Sequence, residues 1–453
     1  MDHRLKLIGL FMISSLAVFG QVGFVDVAST AGIDHHSIPH PFAGLMTGGA
    51  AWFDYNNDGW EDLYLTTSVG SDKLYENNTD GTFTDVTTSS GIESETAGVR
   101  TMGVAAGDLN RDGFDDLVVS TDLFQRNLIF INNGDGTFTE QGQILGVTNV
   151  SFSFGIALAD YDQDGWLDIY FANWIENSLQ QTAYPDRLYR NNANGSFTDV
   201  TISESILIDN GCGLAPSFSD FDTDGDVDLL VANDFGYWSW TEGNVLFEND
   251  NGSLTEIASG IGFDVDMNGM AMVGGDFDED QDFDYYITNI NGNALMVNQG
   301  GQFVNQAVAA GVACEWNIAD TTGQEVYRDA VCWGAAFMDY DNDSYIDLFT
   351  SNGKLVPIME DTVFHFENRL YRNLNASGSF EDVSVATGMN GAGMNKGCAM
   401  ADYDHDGDMD IVVVELDTVG GSHRTLLMNN VGGNDNNWLE IDLTGTVSNT
   451  NAI

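Results

Sequence analysis

The residues best equipped for chemistry in this chain are aspartates, and they come in a fixed pattern. The nine-residue motif D-x-[DN]-x-D-x-x-x-D occurs seven times, with oxygen-bearing side chains at positions 1, 3, 5 and 9. The first two copies are Asp54, Asn56, Asp58 and Asp62, then Asp108, Asn110, Asp112 and Asp116. The third and fourth are Asp160, Asp162, Asp164 and Asp168, then Asp220, Asp222, Asp224 and Asp228. The last three are Asp276, Asp278, Asp280 and Asp284; Asp339, Asp341, Asp343 and Asp347; and Asp402, Asp404, Asp406 and Asp410. Hard divalent cations take oxygen ligands, and calcium takes roughly six to eight of them at about 2.3–2.6 Å. In a tight loop the side chains at positions 1, 3 and 5 converge on one point. A backbone carbonyl at position 7 adds a ligand, and the aspartate at position 9 closes the shell. Each copy is therefore expected to bind calcium, up to seven ions in all.

The helix–loop–helix calcium hand needs an acid at position 12. Here position 12 is Leu65, Val119, Phe171, Val231, Ile287, Thr350 and Val413, and apolar β-rich runs follow each loop. These are expected to be calcium loops between strands. They are not equivalent. Asn56 and Asn110 lower the ligand charge of the first two. Gln281 and Ser344 stand where the other five copies carry a glycine at position 6, and a non-glycine residue in a left-handed conformation costs about 1–2 kcal/mol. Those two loops are expected to bind more weakly or to turn differently.

The elements that hold the loops repeat with them. Successive motifs begin 52 to 63 residues apart, a period that belongs to propellers, solenoids or arrays. A small apolar run such as G-G-A-A-W-F precedes each motif, and a β-rich run such as L-Y-L or I-V-V follows it. A third run of the type R-L-Y-R-N-N and a fourth of the type G-S-F-T-D-V-T complete most units. Short β-rich runs bounded by Gly and Asn read as strands and hairpins. The prediction is an all-β, seven-bladed β-propeller with four-stranded blades. The seventh unit lacks its fourth run, and F-V-D-V from Phe24 supplies a spare one near the N-terminus. An N-terminal strand is thus expected to close the ring and remove two exposed edges.

Composition narrows the function. The chain has 453 residues, 70 acidic and 14 basic, a formal net charge of -56. Such a surface repels phosphate backbones and anionic membranes, which argues against nucleic acid as a partner. Arg4, Lys6 and the apolar run Leu7–Phe19 read as an export signal over residues 1–20, with no membrane insertion after its cleavage. The protein is then secreted, and is extracellular, periplasmic or at the cell surface. Of the four cysteines, Cys314 and Cys332 bracket a polar excursion and could staple it, while Cys212 and Cys398 read as buried thiols.

Taken together, D-x-D-x-D-G-x-x-D, L-Y-R-N and G-x-F-x-D-V resemble FG-GAP or VCBS repeats, the calcium-loop blades of the integrin α-subunit propeller. The resemblance runs from about Phe24 to Asn430. The tail N-W-L-E-I-D-L-T-G-T-V from Asn437 resembles the opening of an ASPIC/UnbV domain. Both together resemble the cartilage acidic protein family, which implies an extracellular calcium-binding protein with an adhesion or matrix role. The organisation expected is a signal peptide over 1–20, the propeller over 21–430, and a linker with a truncated ASPIC/UnbV start over 431–453.

Propeller geometry sends the aspartate loops to one face and the long insertions to the other. Those insertions carry Trp174, Tyr184, Tyr237, Trp238, Trp240 and Trp316, a surface for an extracellular protein or glycan ligand or, alternatively, a packed cap over the channel. No G-x-S-x-G or H-E-x-x-H motif occurs, so a binding module is favoured over an enzyme. The alternative is a calcium-dependent carbohydrate-active enzyme, a lyase or hydrolase, using acids such as Glu176, Glu242, Glu360 and Asp361.

Overall fold

The computed structural model describes residues 22–38, 47–122, 125–177, 182–208, 210–236, 241–290, 292–314, 317–319, 325–327, 330–354, 366–375, 378–417, 424–436 and 438. Seven four-stranded antiparallel sheets follow one another along the chain. Blade 1 is Ala50–Phe53, Asp62–Leu65, Lys73–Asn77 and Phe83–Asp85. Blades 2 to 6 repeat that order, opening with Thr101–Gly107, Ser153–Ala159, Gly213–Ser219, Met272–Gly275 and Ala330–Met338. Blade 7 has Asn395–Ala401, Asp410–Glu415 and Leu426–Val431 from its own repeat. Its fourth strand is Gly23–Asp26, antiparallel to the third, with Phe24 opposite Asn430 and Asp26 opposite Met428. The first strands of neighbouring blades touch in turn round the ring, and blade 7 meets blade 1.

The apolar clusters lie between blades: seven are each shared by two neighbours, as where Tyr170 and Leu188 of blade 3 pack on Leu229, Val231 and Phe247 of blade 4, and one lies at the axis. The same arrangement joins blade 7 to blade 1 through Val412, Val414, Leu63 and Tyr75. This is why the second strands read as unbroken apolar runs without alternation: Asp116–Thr121 and Asp168–Asn173 are buried at every residue. Both faces of such a strand lie against protein.

The small-residue runs before the loops have a matching cause. At the end of the first strands away from the aspartate loops, neighbouring backbones nearly touch. A Cβ on Gly49 would lie 2.7 Å from the carbonyl oxygen of Met102 in the next blade, and one on Gly103 would collide with the carbonyl of Phe154. Glycine is required there by contact, not by flexibility.

The opposite face is less regular. Three additional two-stranded ribbons decorate it: Ile175–Asn177 with Thr182–Ala183, Asn317–Ala319 with Glu325–Tyr327, and Phe366–Glu367 with Ala392–Gly393. The second of these lies in the excursion between Cys314 and Cys332, whose sulfurs are 3.2 Å apart. The two sulfurs are not joined in this structure, and the Cys332 thiol donates to the Cys314 sulfur. Burial pushes the thiols of Cys212 and Cys398 up to about 12, as suits the packing role expected of them.

Candidate metal centres

Every aspartate loop joins the first and second strands of its blade, so all seven lie on one face. Each takes the same turn. Position 6 is left-handed throughout, at Gly59, Gly113, Gly165, Gly225 and Gly407 and equally at Gln281 (φ 77°) and Ser344 (φ 79°). Those two loops therefore do not turn differently, although the strain expected of them remains. Position 4 is left-handed as well, at Asn57, Arg111, Gln163, Thr223, Glu279, Asn342 and His405, with φ between 50° and 62°. Two left-handed residues per loop fold the backbone tightly enough for its amides to point inward. In the first loop the N–H groups of Asp58 and Gly59 donate to the two oxygens of Asp54, at 3.0 and 2.7 Å.

Position 9 is the anchor. Its aspartate opens the second strand and is fully buried in all seven blades. One oxygen accepts the backbone N–H of an asparagine at the end of the third strand: Asn77, Asn132, Asn191, Asn249, Asn298, Asn373 or Asn430, at 2.7–2.8 Å. That same asparagine sends its side-chain N–H to the position 2 carbonyl of the preceding blade's loop, at 2.8–2.9 Å, in all seven blades. Each loop is thereby tied to the next blade's third strand. The repeated N-N of the R-L-Y-R-N-N runs was the signal for it, and reading those runs simply as turn punctuation missed it.

Burial pushes the position 9 carboxyls up in every loop, with neighbouring carboxylates adding to the effect in each. The result is about 7 for Asp228, about 8 for Asp62, Asp116, Asp284 and Asp347, and about 9 for Asp168 and Asp410. Such carboxyls resist ionisation unless a cation compensates them.

The loops differ in how their acids converge. Oxygens of Asp160, Asp162 and Asp168 lie within 4.8 Å of one another, as do those of Asp220, Asp222 and Asp228, of Asp276, Asp278 and Asp284, and of Asp339, Asp341 and Asp347. In the seventh loop the converging set is Asp402, Asp404 and Asp406. The first two loops bring no three acids together among the described residues; asparagine holds position 3 in both. Buried carboxylate oxygens of Asp160, Asp162, Asp278, Asp284, Asp341, Asp404 and Asp410 have no hydrogen-bond partner. Unpaired buried carboxylate oxygens are costly, and a hard cation at the point of convergence would satisfy them. The donor set fits calcium. The sixth loop carries an internal competitor: the Arg372 guanidinium lies 3.0 Å from Asp341 and 2.7 Å from Asp343.

Neighbouring loops also touch through position 4. Asn57 donates to the Gly113 carbonyl at 2.7 Å and Asn342 to the Gly407 carbonyl at 2.9 Å. Arg111 sits over the Trp166 ring, 5.6 Å from its centroid, and His405 stacks on Trp60 at 4.1 Å. The C-terminal segment joins them. Asn434 donates to the Asp406 carbonyl and Asn436 to the Asp341 carbonyl. Trp438 lies so close over Gly407 that any Cβ there would strike its ring.

The aromatic residues expected on the far face divide in two. Trp174 and Tyr184 pack into a cluster at that end of the channel with Phe152, Phe154, Met270 and Trp333. Trp174 stacks on Phe235 at 5.7 Å and donates its indole N–H to Asp234 at 2.9 Å. It is a structural cap and not a displayed contact. Tyr237, Trp238, Trp240 and Trp316 lie outside the described residues, as do Glu360 and Asp361. Glu176 and Glu242 are exposed.

The chain is a closed ring of seven blades with an acidic loop at every inner hairpin, and the FG-GAP-like repeat family matches its residues 54–119, 108–171 and 352–413. The chain is similar to cartilage acidic protein 1 of Mus musculus, 25% identical over 293 residues, which covers 59% of this chain and 43% of the relative. The Homo sapiens protein of that name is 25% identical over 296 residues, covering 60% and 42%, and the Xenopus tropicalis one is 24% identical over 320 residues, covering 69% and 44%. The chain thus matches less than half the length of these relatives. Among solved structures, an Agrocybe aegerita lectin that recognises non-reducing terminal N-acetylglucosamine has a TM-score of 0.43 at 17% identity, covering 74% of this chain and 79% of its own. BBS1N, solved in complex with ARL6DN, has a TM-score of 0.48 at 10% identity, covering 89% and 96%. Neither likeness bears on the function of this chain. Among the described residues, no helix is long and apolar enough to cross a membrane.

Proposed function

We propose that this chain is an extracellular, calcium-loaded propeller that acts as an adhesion or ligand-binding module. The observation that carries the reading is the convergence of three carboxylates within 4.8 Å in five loops on one face. Similarity to cartilage acidic protein 1, whose name places it in cartilage, supports the extracellular setting. Calcium stiffens the hairpins, and the partner, an extracellular protein or glycan, binds the insertion face. The third, fourth and seventh loops bind most tightly, since they combine converging acids with glycine at position 6. The fifth and sixth follow, weakened by strain at Gln281 and Ser344 and, in the sixth, by Arg372. The first two have the least ligand charge.

Thermal melting in calcium and in chelator tests this. Each occupied site contributes about 2.7 kcal/mol at 100-fold excess of free ion over Kd. Several sites together should raise the melting temperature by more than about 10 °C, at roughly 2–4 °C per kcal/mol in domains of about 150–250 residues and less in a larger one. Superimposable curves would remove the calcium reading.

A further inference from the structure

Blade 7 takes its fourth strand from the N-terminus, so the chain leaving its third strand has no hairpin to enter. It crosses the loop face instead. Gly433–Asp435 forms a short 3-10 turn, and Asn436 and Trp438 follow it. In blades 4 and 5 the turn between the third and fourth strands donates a backbone N–H to the position 7 aspartate of the blade's own loop, Asn251 to Asp226 at 2.7 Å and Gly300 to Asp282 at 3.2 Å. In blade 7 the N–H of Asn434 does the same for Asp408, at 3.2 Å. The segment thus stands in for the missing hairpin turn.

It also reaches across two loops. The Asn434 side chain donates to the Asp406 carbonyl at 3.0 Å, and that of Asn436 to the Asp341 carbonyl at 2.8 Å. Asn342 of the sixth loop donates to the carbonyls of both Gly407 and Gly433, at 2.9 and 3.1 Å. Gly433 is wedged so tightly that a Cβ would lie 2.6 Å from the Tyr340 carbonyl oxygen. Trp438 covers Gly407 yet stays 47% exposed.

The segment grips the same residues that gather the acids. The carboxylates of Asp341 and Asp406 belong to the converging sets of their loops, while their carbonyls accept from the segment. Without an ion those carboxylates repel one another and loosen the loop. An ion holds the loop in the turn that the segment grips. Two events that select one conformation favour each other, and the coupling is reciprocal. Given that these loops bind calcium as proposed, we infer that the sixth and seventh form a calcium-dependent docking surface for residues 433–436 and Trp438. Ion binding at the two loops seats the segment, and the seated segment tightens ion binding.

Hydrogen exchange of the full chain, in calcium and in chelator, tests the coupling. Calcium should slow the amides of residues 432–436 at least about fivefold, together with those of the third and fourth loops. Asn436→Ala with Trp438→Ala alters two exposed residues. By equilibrium dialysis this double variant should bind calcium at least about fivefold more weakly at two sites and like the parent at the others. Its metal-free melting should match the parent's. If it does not fold, exchange in the parent decides the matter. Calcium that slows exchange in the third and fourth loops and not in residues 432–436 would overturn the docking surface alone. So would a double variant whose calcium isotherm superimposes on the parent's. A chain that binds no calcium at any loop would overturn the calcium reading and the docking surface together.

Discussion

The two faces of this ring follow opposite rules. On the loop face each blade repeats its neighbour to the level of single dihedrals: positions 4 and 6 are left-handed in all seven loops, and the asparagine tie recurs seven times. On the other face the described residues vary from blade to blade. Blade 3 adds one ribbon, the excursion before blade 6 adds another, and a third joins blade 6 to the strand leading into blade 7. Repetition on one side and variation on the other separate two tasks. The repeated face ties blade to blade and gathers the carboxylates, and the varied face is free to be specific.

The comparison breaks first at position 9. Replacing Asp168 with Ala removes a proposed metal ligand and leaves the N–H groups of Asn191 and Tyr161 without their acceptor. A loss of about 2–5 kcal/mol is expected in calcium, measured by chemical denaturation; a loss under about 1 kcal/mol would show that position 9 does not anchor the blade. The tie itself comes next. Asn191→Ala deletes the bond to the Leu109 carbonyl and should cost about 1–3 kcal/mol, by similar amounts with and without calcium. A loss confined to the calcium-loaded protein would place the asparagine in the metal site instead.

Acidity offers a third test. In the metal-free protein the position 9 carboxyls sit at about 7 to about 9, against about 4 in the unfolded chain. The native state therefore binds more protons than the unfolded state between those values. Its stability is full below about pH 4 and falls as pH rises toward 9. Metal-free protein should melt higher at pH 5 than at pH 8, and calcium should flatten or reverse that slope. A metal-free melting temperature that rises over this range would contradict the assignment of buried, uncompensated carboxyls.

Smaller effects sharpen the contrast. Gln281→Gly and Ser344→Gly relieve a left-handed residue and should gain at most about 1–2 kcal/mol each, visible as tighter calcium binding at the fifth and sixth loops. Trp238→Ala with Trp240→Ala should lower melting little and abolish binding to whichever ligand a protein and glycan array identifies. Normal binding by that double variant, with loss of binding in a fully stable Asp162→Ala, would move the partner to the loop face.

Much of this was legible in the sequence because the repeat multiplies a weak signal. A single D-x-D-x-D is only an acidic turn. Seven at regular spacing, each with its own third and fourth strand runs, specify the blades and even the missing strand that Phe24 supplies. What escaped depends on contacts between units. The asparagine tie joins residues 77 to 96 positions apart within the chain, or 326 across the closure; the repeated asparagine marks one end of it and nothing local marks the other. The left-handed position 4 escaped because Asn, Arg, Gln, Thr, Glu and His share no feature in sequence; the loop imposes the conformation on them. The Cys314–Cys332 pairing was legible as proximity: the two sulfurs lie 3.2 Å apart. Trp174 belongs to the channel cap because Phe152 and Phe154 from one segment and Phe235 from another converge on it.

Calcium stoichiometry tests the central claim most directly. The full chain is stripped with chelator, dialysed to equilibrium against graded free calcium, and assayed for bound metal by atomic absorption. The account predicts at least five ions per chain at saturation, and seven if the first two loops fill. Occupancy of the third, fourth and seventh loops should come first, read by its loss in Asp162→Ala, Asp222→Ala and Asp404→Ala. Fewer than two ions bound per folded chain at millimolar calcium would contradict it.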